Sequence, residues 1–298
     1  MKTLTQEEIR RVAPSVFAQS PWHERTDKYK FVSTPRVIDA MTDSGYYPVK
    51  AQQSNSRIPG KREFTKHMLK FRSKECEGIQ INDVIPEIVL VNSHDGTSAY
   101  KMMFGLFRLV CTNGLIVADS MISSVSFRHI GASNICRQVI KKSNAMVKRA
   151  PVILDHMRRW ESLQLNKQDQ LDYARQANDL NPTTINVDPE RLIQPRRYAD
   201  TDGGDQVSLW KTFNRVQENI IKGGMLGRNN QGRRRHTRAI KSIDTDVKIN
   251  RGLWALTERF SINAKPNIRE EASPLERIKA LIAQYGPKEY ANHIKEAL

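Results

Sequence analysis

Between positions 228 and 241 stand Arg228, Arg233, Arg234, Arg235, Arg238 and Lys241, with His236 among them and no acidic residue from 225 to 242. Guanidinium groups present planar forks that hold phosphate oxygens two at a time, and the surrounding Asn, Gln and Gly let a backbone approach closely. The chemistry this suits is binding a polyanion. A self-repelling loop of this kind is expected to be mobile until such a partner orders it. The same run also reads as a solvated basic loop. It has no apolar face for a membrane surface.

Three further groups could extend the phosphate contacts. Arg137, Lys141 and Lys148 fall on the polar side of an amphipathic helix, where Lys141 and Lys148, two turns apart, could follow a phosphate backbone or simply face water. Arg196, Arg197 and Tyr198 in "QPRRYAD" combine two cations with a ring that could stack on a base, although Arg197 could equally pair with Asp200. In "FRLVCTNGLIV" (107–117), strand alternation sets Phe107, Leu109 and Cys111 on one face and Arg108 on the other. Cys111 then reads as a small buried hydrophobe, and Arg108 as the functional candidate.

Catalytic readings are weaker. No Gly-Lys-Ser/Thr follows "GGMLGRNNQG", so it is not a phosphate-binding P-loop. Asp244 and Asp246 have a spacing that could hold a metal, but Asp246 also suits a helix cap, and no third ligand stands out. His94 and Asp95 could form an acid–base pair, yet Asp-Gly turn chemistry accounts for them. Trp160, Trp210 and Trp254 sit in helical patterns as core anchors. Tyr100, Phe127 and Tyr198 are the rings that could stack on bases if exposed. No catalytic residue, metal or cofactor is assigned.

Bulk properties agree with a polyanion partner. Lys and Arg outnumber Asp and Glu 48 to 32, giving a net charge of +16, more than solubility needs. The three cysteines, Cys76, Cys111 and Cys136, form no Cys-x-x-Cys pair, which argues against a disulfide framework or a zinc knuckle. No apolar run reaches the ~20 residues of a membrane span, and "MKTLTQEEIRR" has no apolar signal core. The expectation is a cytoplasmic protein without a membrane partner.

The elements that must position these residues make an α+β chain. "TQEE" is a capping box opening the first helix. "TPRVIDAMTDSG" opens on Thr34 and Pro35 and closes at Gly45. From about 46 to 130 the runs "YYPVKAQQ", "REFTKHMLKFR", "IPEIVLVN", "SAYKMMFGLFRLVC", "GLIVAD" and "SVSFRHI" read as strands of a mostly antiparallel sheet, with a tight turn at Asn113-Gly114. Residues 133–160 follow a helical period, with Ile135, Val139, Met146, Ala150, Ile153 and Met157 on one stripe and Pro151 splitting or kinking the helix. Helices follow at 168–181, 206–224, 246–260 and 273–287, and a short one ends the chain. The division falls near 132, with helices plus sheet in 1–132 and a helical part carrying the basic loop in 133–298, within one integrated unit.

The strings "NSHDGTSAY", "FRLVCTNGLIV", "RRYAD" with "LWKTFNRVQENIIKGG", and "INRGLWAL" resemble the phage- and plasmid-borne proteins catalogued as domain of unknown function 932, over about residues 20–260. The resemblance implies mobile genetic elements in a prokaryotic host cell and DNA metabolism or anti-defence roles, and brings no catalytic residue with it. It singles out Arg108, Asn113, Asn214, Gln217, Glu218 and Asn219 as motif positions. The leading expectation is a protein that binds single-stranded DNA through its phosphates in recombination or annealing, as a possible homo-oligomer. Annealing proteins likewise set an antiparallel sheet beside a long helix and a basic groove, an analogy of architecture only. The alternatives are a metal-dependent nuclease and a protein-binding inhibitor of a host defence system.

Overall fold

The computed structural model describes residues 2–23, 29, 31–74, 84–108, 114–116, 125–127, 135–181, 183, 185–196 and 206–263. Arg197, Tyr198, Asn113, Cys76, Cys111, the side chains of Arg108 and Phe127, and the helices expected after 263 lie outside them. Helix α1 (Gln6–Val12) opens on the expected capping box. Glu8 N–H donates to the Thr5 hydroxyl, and Thr5 N–H donates to the Glu8 carboxylate. Helix α2 (Thr34–Asp43) has Pro35 in its first turn but takes no side-chain cap. Thr34 does not cap because its hydroxyl is engaged in the core, as described below.

Five strands run in chain order, each antiparallel to the next: β1 (Tyr46–Gln53), β2 (His67–Ser73), β3 (Val84–Asn92), β4 (Tyr100–Arg108) and β5 (Gly114–Ile116). β6 (Val125–Phe127) pairs with the other end of β4. The turn expected at Asn113-Gly114 lies partly outside the described residues; β5 begins at Gly114, which pairs with Phe107. In edge strand β1, the register skips Val49 between Pro48 and Lys50. Such a bulge is a place where a proline without an N–H is tolerated.

Alternation along the strands sends side chains to two covered faces. Leu69, Phe71, Met102 and Phe104 lie on one face under α2 and α3 (Ile135–Lys148), where the Ser143 hydroxyl points at the sulfurs of Met41 and Met102. Met68, Val89, Val91 and Met103 lie on the other face and pack against Ile243 and Val247 of α8 (Ile243–Asn263). Burial on both faces explains why β3 reads as an almost unbroken apolar run.

Pro151 divides the long helical stretch as expected, into α3 and α4 (Ala150–Ser162). Ile135, Val139, Met146, Ala150, Ile153 and Met157 are all buried. The chain continues through β7 (Gln164–Leu165), α5 (Lys167–Asp179), β8 (Asn186–Val187), α6 (Pro189–Leu192), β9 (Val207–Ser208) and α7 (Leu209–Lys222). The helices gather around Trp160, whose ring lies 4.5 Å from Trp254 and 5.9 Å from Phe213, with Trp210 beside them. The three tryptophans are core anchors. Among the described residues, no helix is long and apolar enough to cross a membrane.

A buried polar network ties the N-terminal segments to the sheet. The His67 ring meets the Ser15 hydroxyl at 3.2 Å through Nδ1 and the Thr34 hydroxyl at 3.0 Å through Nε2. Thr34 also accepts from Asn92 at 3.1 Å and lies 3.4 Å from His94 Nε2. Burial pushes the His67 pKa down from 6.5 to about 4, because a charged imidazolium is poorly solvated there. The unfolded chain therefore takes up the proton first. This contribution to stability is complete above about pH 6.5 and is lost as pH falls toward 4, by roughly 3 kcal/mol in all. Urea unfolding midpoints should drop between about pH 7 and about pH 4.5, and His67→Gln, which cannot titrate, should show a shallower fall.

Candidate nucleic-acid interface

The basic run is an ordered hairpin rather than the mobile loop expected. β10 (Leu226–Arg228) pairs antiparallel with β11 (Arg234–His236). Asn229 builds the turn: its side-chain oxygen accepts from Gln231 N–H at 3.1 Å and Arg233 N–H at 3.0 Å, and Gly232 follows with φ +74°. This is an Asx turn, a local alternative to disorder that charge counting does not register. The other edge of β10 pairs with β8, making a three-stranded sheet. At Gly227 a Cβ would collide with the Asn186 carbonyl oxygen, so only glycine allows β10 to approach β8. At Gly223, which ends α7 with φ +63°, a Cβ would strike the Arg238 backbone. The helix end thus fixes the strand that carries the arginines.

Beneath the hairpin lies a groove of about 460 Å³. Arg235, His236, Arg238 and Lys241 line it, with Asn181, Thr183 and Thr245 in its polar remainder; among the described residues no carboxylate lines it. Arg233, Arg234, Arg235, Arg238 and Lys241 are exposed. Among the described residues none of the five forms an ion pair. Arg228 donates to the Gly232 carbonyl at 2.9 Å, which steadies the turn. Uncompensated positive charge around a concave wall concentrates the field that draws in anions.

Arg137, Lys141, Lys148 and Arg196 do not join this surface. Arg137, Lys141 and Lys148 are exposed on α3. However, α3 packs over Met102, and the chain leaving the hairpin enters α8 over Met103, on the opposite face of the sheet. Arg196 turns inward and donates to Asn219 Oδ1 and the Gly223 carbonyl, so it serves the scaffold. Arg108 ends β4 opposite Val84.

The remaining expectations resolve as follows. Tyr100 is fully buried and offers no stacking surface. Asp244 pairs with Lys66 at 2.5 Å at the surface. Asp246 does not cap α8, which begins at Ile243; it turns toward the sheet and accepts from Asn250 at 2.8 Å. The two carboxylates thus have different partners. Asp95 accepts from the Thr97 N–H and hydroxyl, the turn chemistry expected of Asp-Gly.

The α7 motif is internal. Asn219 donates to the carbonyls of Leu192 at 2.7 Å and Gln194 at 2.9 Å. Gln217 donates to Asn250 at 3.0 Å, and Asn214 donates to the Trp210 carbonyl at 2.7 Å. Glu218 pairs with Lys222. Asn219 and Gln217 tie α7 to the end of α6 and to α8, and all four side chains are 1–2% exposed.

Residues 21–254 match the family described as domain of unknown function (DUF932). The chain belongs to this family. Two relatives from Escherichia coli (strain K12), the UPF0380 proteins YafZ and YfjQ, are 39% and 38% identical to it over 263 residues, covering 86% of the chain and 91% of each relative. No solved structure matches. Within this DUF932 chain, the "QEN" of α7 is thus a packing device.

Sequence reading missed a second charged group. Lys50, Lys70, Arg72, Glu87 and Asp246 meet between the sheet and α8. The signal was present in "HMLKFR", where alternation sets Lys70 and Arg72 on the face of Met68. That pattern reads as a solvent face unless a helix from far along the chain is known to cover it.

Asn219→Ala should lower stability by about 3 kcal/mol, measured by denaturant unfolding, because it strands several buried carbonyls and Arg196. Gly227→Ala should part the hairpin from β8 and speed amide hydrogen exchange at 226–236 while the main sheet stays protected.

Proposed function

We propose that this chain binds nucleic acid through its phosphates at the β10–β11 hairpin and the groove beneath it, with single-stranded DNA as the favoured ligand. The observation that carries this reading is the groove bordered by Arg235, His236, Arg238 and Lys241, with no carboxylate in its lining among the described residues. Its volume is that of a site for a small molecule, commonly ~300–1,000 Å³. A flexible single strand can dip a phosphate into such a space, whereas a duplex, stiff over ~150 base pairs, stays outside it. Among the described residues no ring other than His236 lines the groove, which favours contact through the phosphates over stacked bases. The setting we infer is cytoplasmic DNA metabolism, recombination or annealing, in prokaryotes carrying phage or plasmid genes, with self-association an open part of the proposal.

Fluorescence anisotropy with a labelled single-stranded oligonucleotide across a salt series tests it. The logarithm of the binding constant should fall linearly with the logarithm of salt concentration, as released counterions require. Replacing Arg235, Arg238 and Lys241 together by alanine should weaken binding and flatten the slope by about 2, at roughly 0.7 per phosphate contact. Replacing Arg137, Lys141 and Lys148 should change neither. A response insensitive to salt, or a slope untouched by the hairpin substitutions, refutes the assignment.

A further inference from the structure

The neutral side chains of the groove narrow the kind of occupant it takes. Asn181, Thr183, Ser242 and Thr245 line it beside the cations. Three of the four have an oxygen already engaged by a backbone N–H. Asn181 Oδ1 accepts from Thr183 N–H at 3.4 Å, Thr183 Oγ1 from Ile185 N–H at 3.2 Å, and Ser242 Oγ from Thr245 N–H at 3.4 Å. What these three have left to give is a donor: the amide N–H groups of Asn181 and the hydroxyl protons of Thr183 and Ser242. Among the described residues neither these donors nor the Thr245 hydroxyl has an acceptor.

The charged part of the lining points the same way. Arg235, Arg238 and Lys241 bring three positive charges, and among the described residues no carboxylate lines the groove to offset them. Asp244, which follows Lys241 by one turn, is taken up by Lys66 at 2.5 Å. A lining of this make-up asks for an occupant rich in acceptors and poor in donors. Base edges commonly present donors as well, and a phosphodiester inside a strand has only its two non-bridging oxygens to offer. A phosphomonoester offers three and carries close to two negative charges at neutral pH. Ile185, Ala239 and Ile240 supply apolar wall that a sugar or base can cover. A volume of about 460 Å³ suits one small molecule, hence one nucleotide and not a length of strand.

We propose that the groove holds a nucleotide by a terminal phosphate, a phosphomonoester gripped by Arg235, Arg238 and Lys241 and by the free donors of Asn181, Thr183, Ser242 and Thr245. This rests on the nucleic-acid reading for one source of the ester, the phosphorylated end of a single strand. A free nucleoside monophosphate offers the same chemistry. Arg233 and Arg234, exposed on the hairpin outside the groove lining, then serve the phosphates next to the end.

Four probes tell the sources apart: single-stranded oligonucleotides with a 5′-phosphate, with a 3′-phosphate or with neither, read by fluorescence anisotropy, and a nucleoside 5′-monophosphate, read by calorimetry. One of the terminal phosphates should tighten oligonucleotide binding about tenfold, the scale of a charge-assisted hydrogen bond. Two substitutions test the donors. Asn181→Asp keeps the oxygen that accepts from Thr183 N–H and turns the free donor into a charged acceptor. Thr245→Val keeps the branched shape and removes a hydroxyl that has no partner among the described residues. Asn181→Asp should bring the ratio of phosphorylated to unphosphorylated affinity down to about one, and Thr245→Val should lower that ratio about threefold. A terminal-phosphate gain that survives both substitutions is general attraction to positive charge and overturns the proposal. Monophosphate binding that both substitutions weaken, with no gain on either oligonucleotide, supports the same site with a free nucleotide as its occupant. If neither the terminal phosphates nor the monophosphate respond to the substitutions, the proposal is overturned, while salt-dependent binding of the unphosphorylated strand still upholds the nucleic-acid reading. If the monophosphate binds in this way and no strand does, the nucleic-acid reading fails and the groove keeps its phosphomonoester.

Discussion

The packing of the first turns of α8 on the sheet governs the rest of the molecule. Ile243 and Val247 close over Met68, Val89, Val91 and Met103, and the apolar surface removed from water there is the driving force. That contact buries the second face of a sheet whose first face is already under α2 and α3. It also sets Asp246 over the lysines of β1 and β2, and fixes where the chain leaves the hairpin. Two polar contacts fasten the same junction: Gln52 donates to the Lys241 carbonyl at 2.8 Å, and Lys66 pairs with Asp244. Without α8 in place, the groove would lose the part of its lining that Thr245 supplies.

Much of the fold could be read from local pattern. β1 occupies the eight residues of "YYPVKAQQ", the capping box forms at Thr5 and Glu8, and Pro151 lies in the first turn of α4. Each of these features depends on neighbours within one or two turns, where propensity and periodicity act. The sequence reading failed where distant segments decide. The run at 225–242 looks like a free loop until β8, about 40 residues earlier, supplies a pairing edge. Arg196 looks like a phosphate ligand until α7 captures it. Asp246 looks like a cap until α8 is seen to start three residues sooner.

The candidate site shows the same division. Residue type pointed correctly to a cluster of exposed guanidiniums, because charge survives any fold. What composition could not convey is sidedness. The cations of α3 and those of the hairpin add together in the net charge, yet a covered sheet separates them. Lys70 and Arg72 were hidden for the converse reason. In "HMLKFR" they occupy positions that in an isolated hairpin would face water.

Among the described residues β11 lies at the edge of its three-stranded sheet, with a strand neighbour on one side only. Such an edge invites another chain to add on, and native proteins commonly guard it with charge. Arg234, Arg235 and His236 put that guard in the strand itself. The positive charge that suits this hairpin to a polyanion therefore also keeps two copies of it from zipping together, and a chain stripped of those arginines would become more prone to aggregate along that edge.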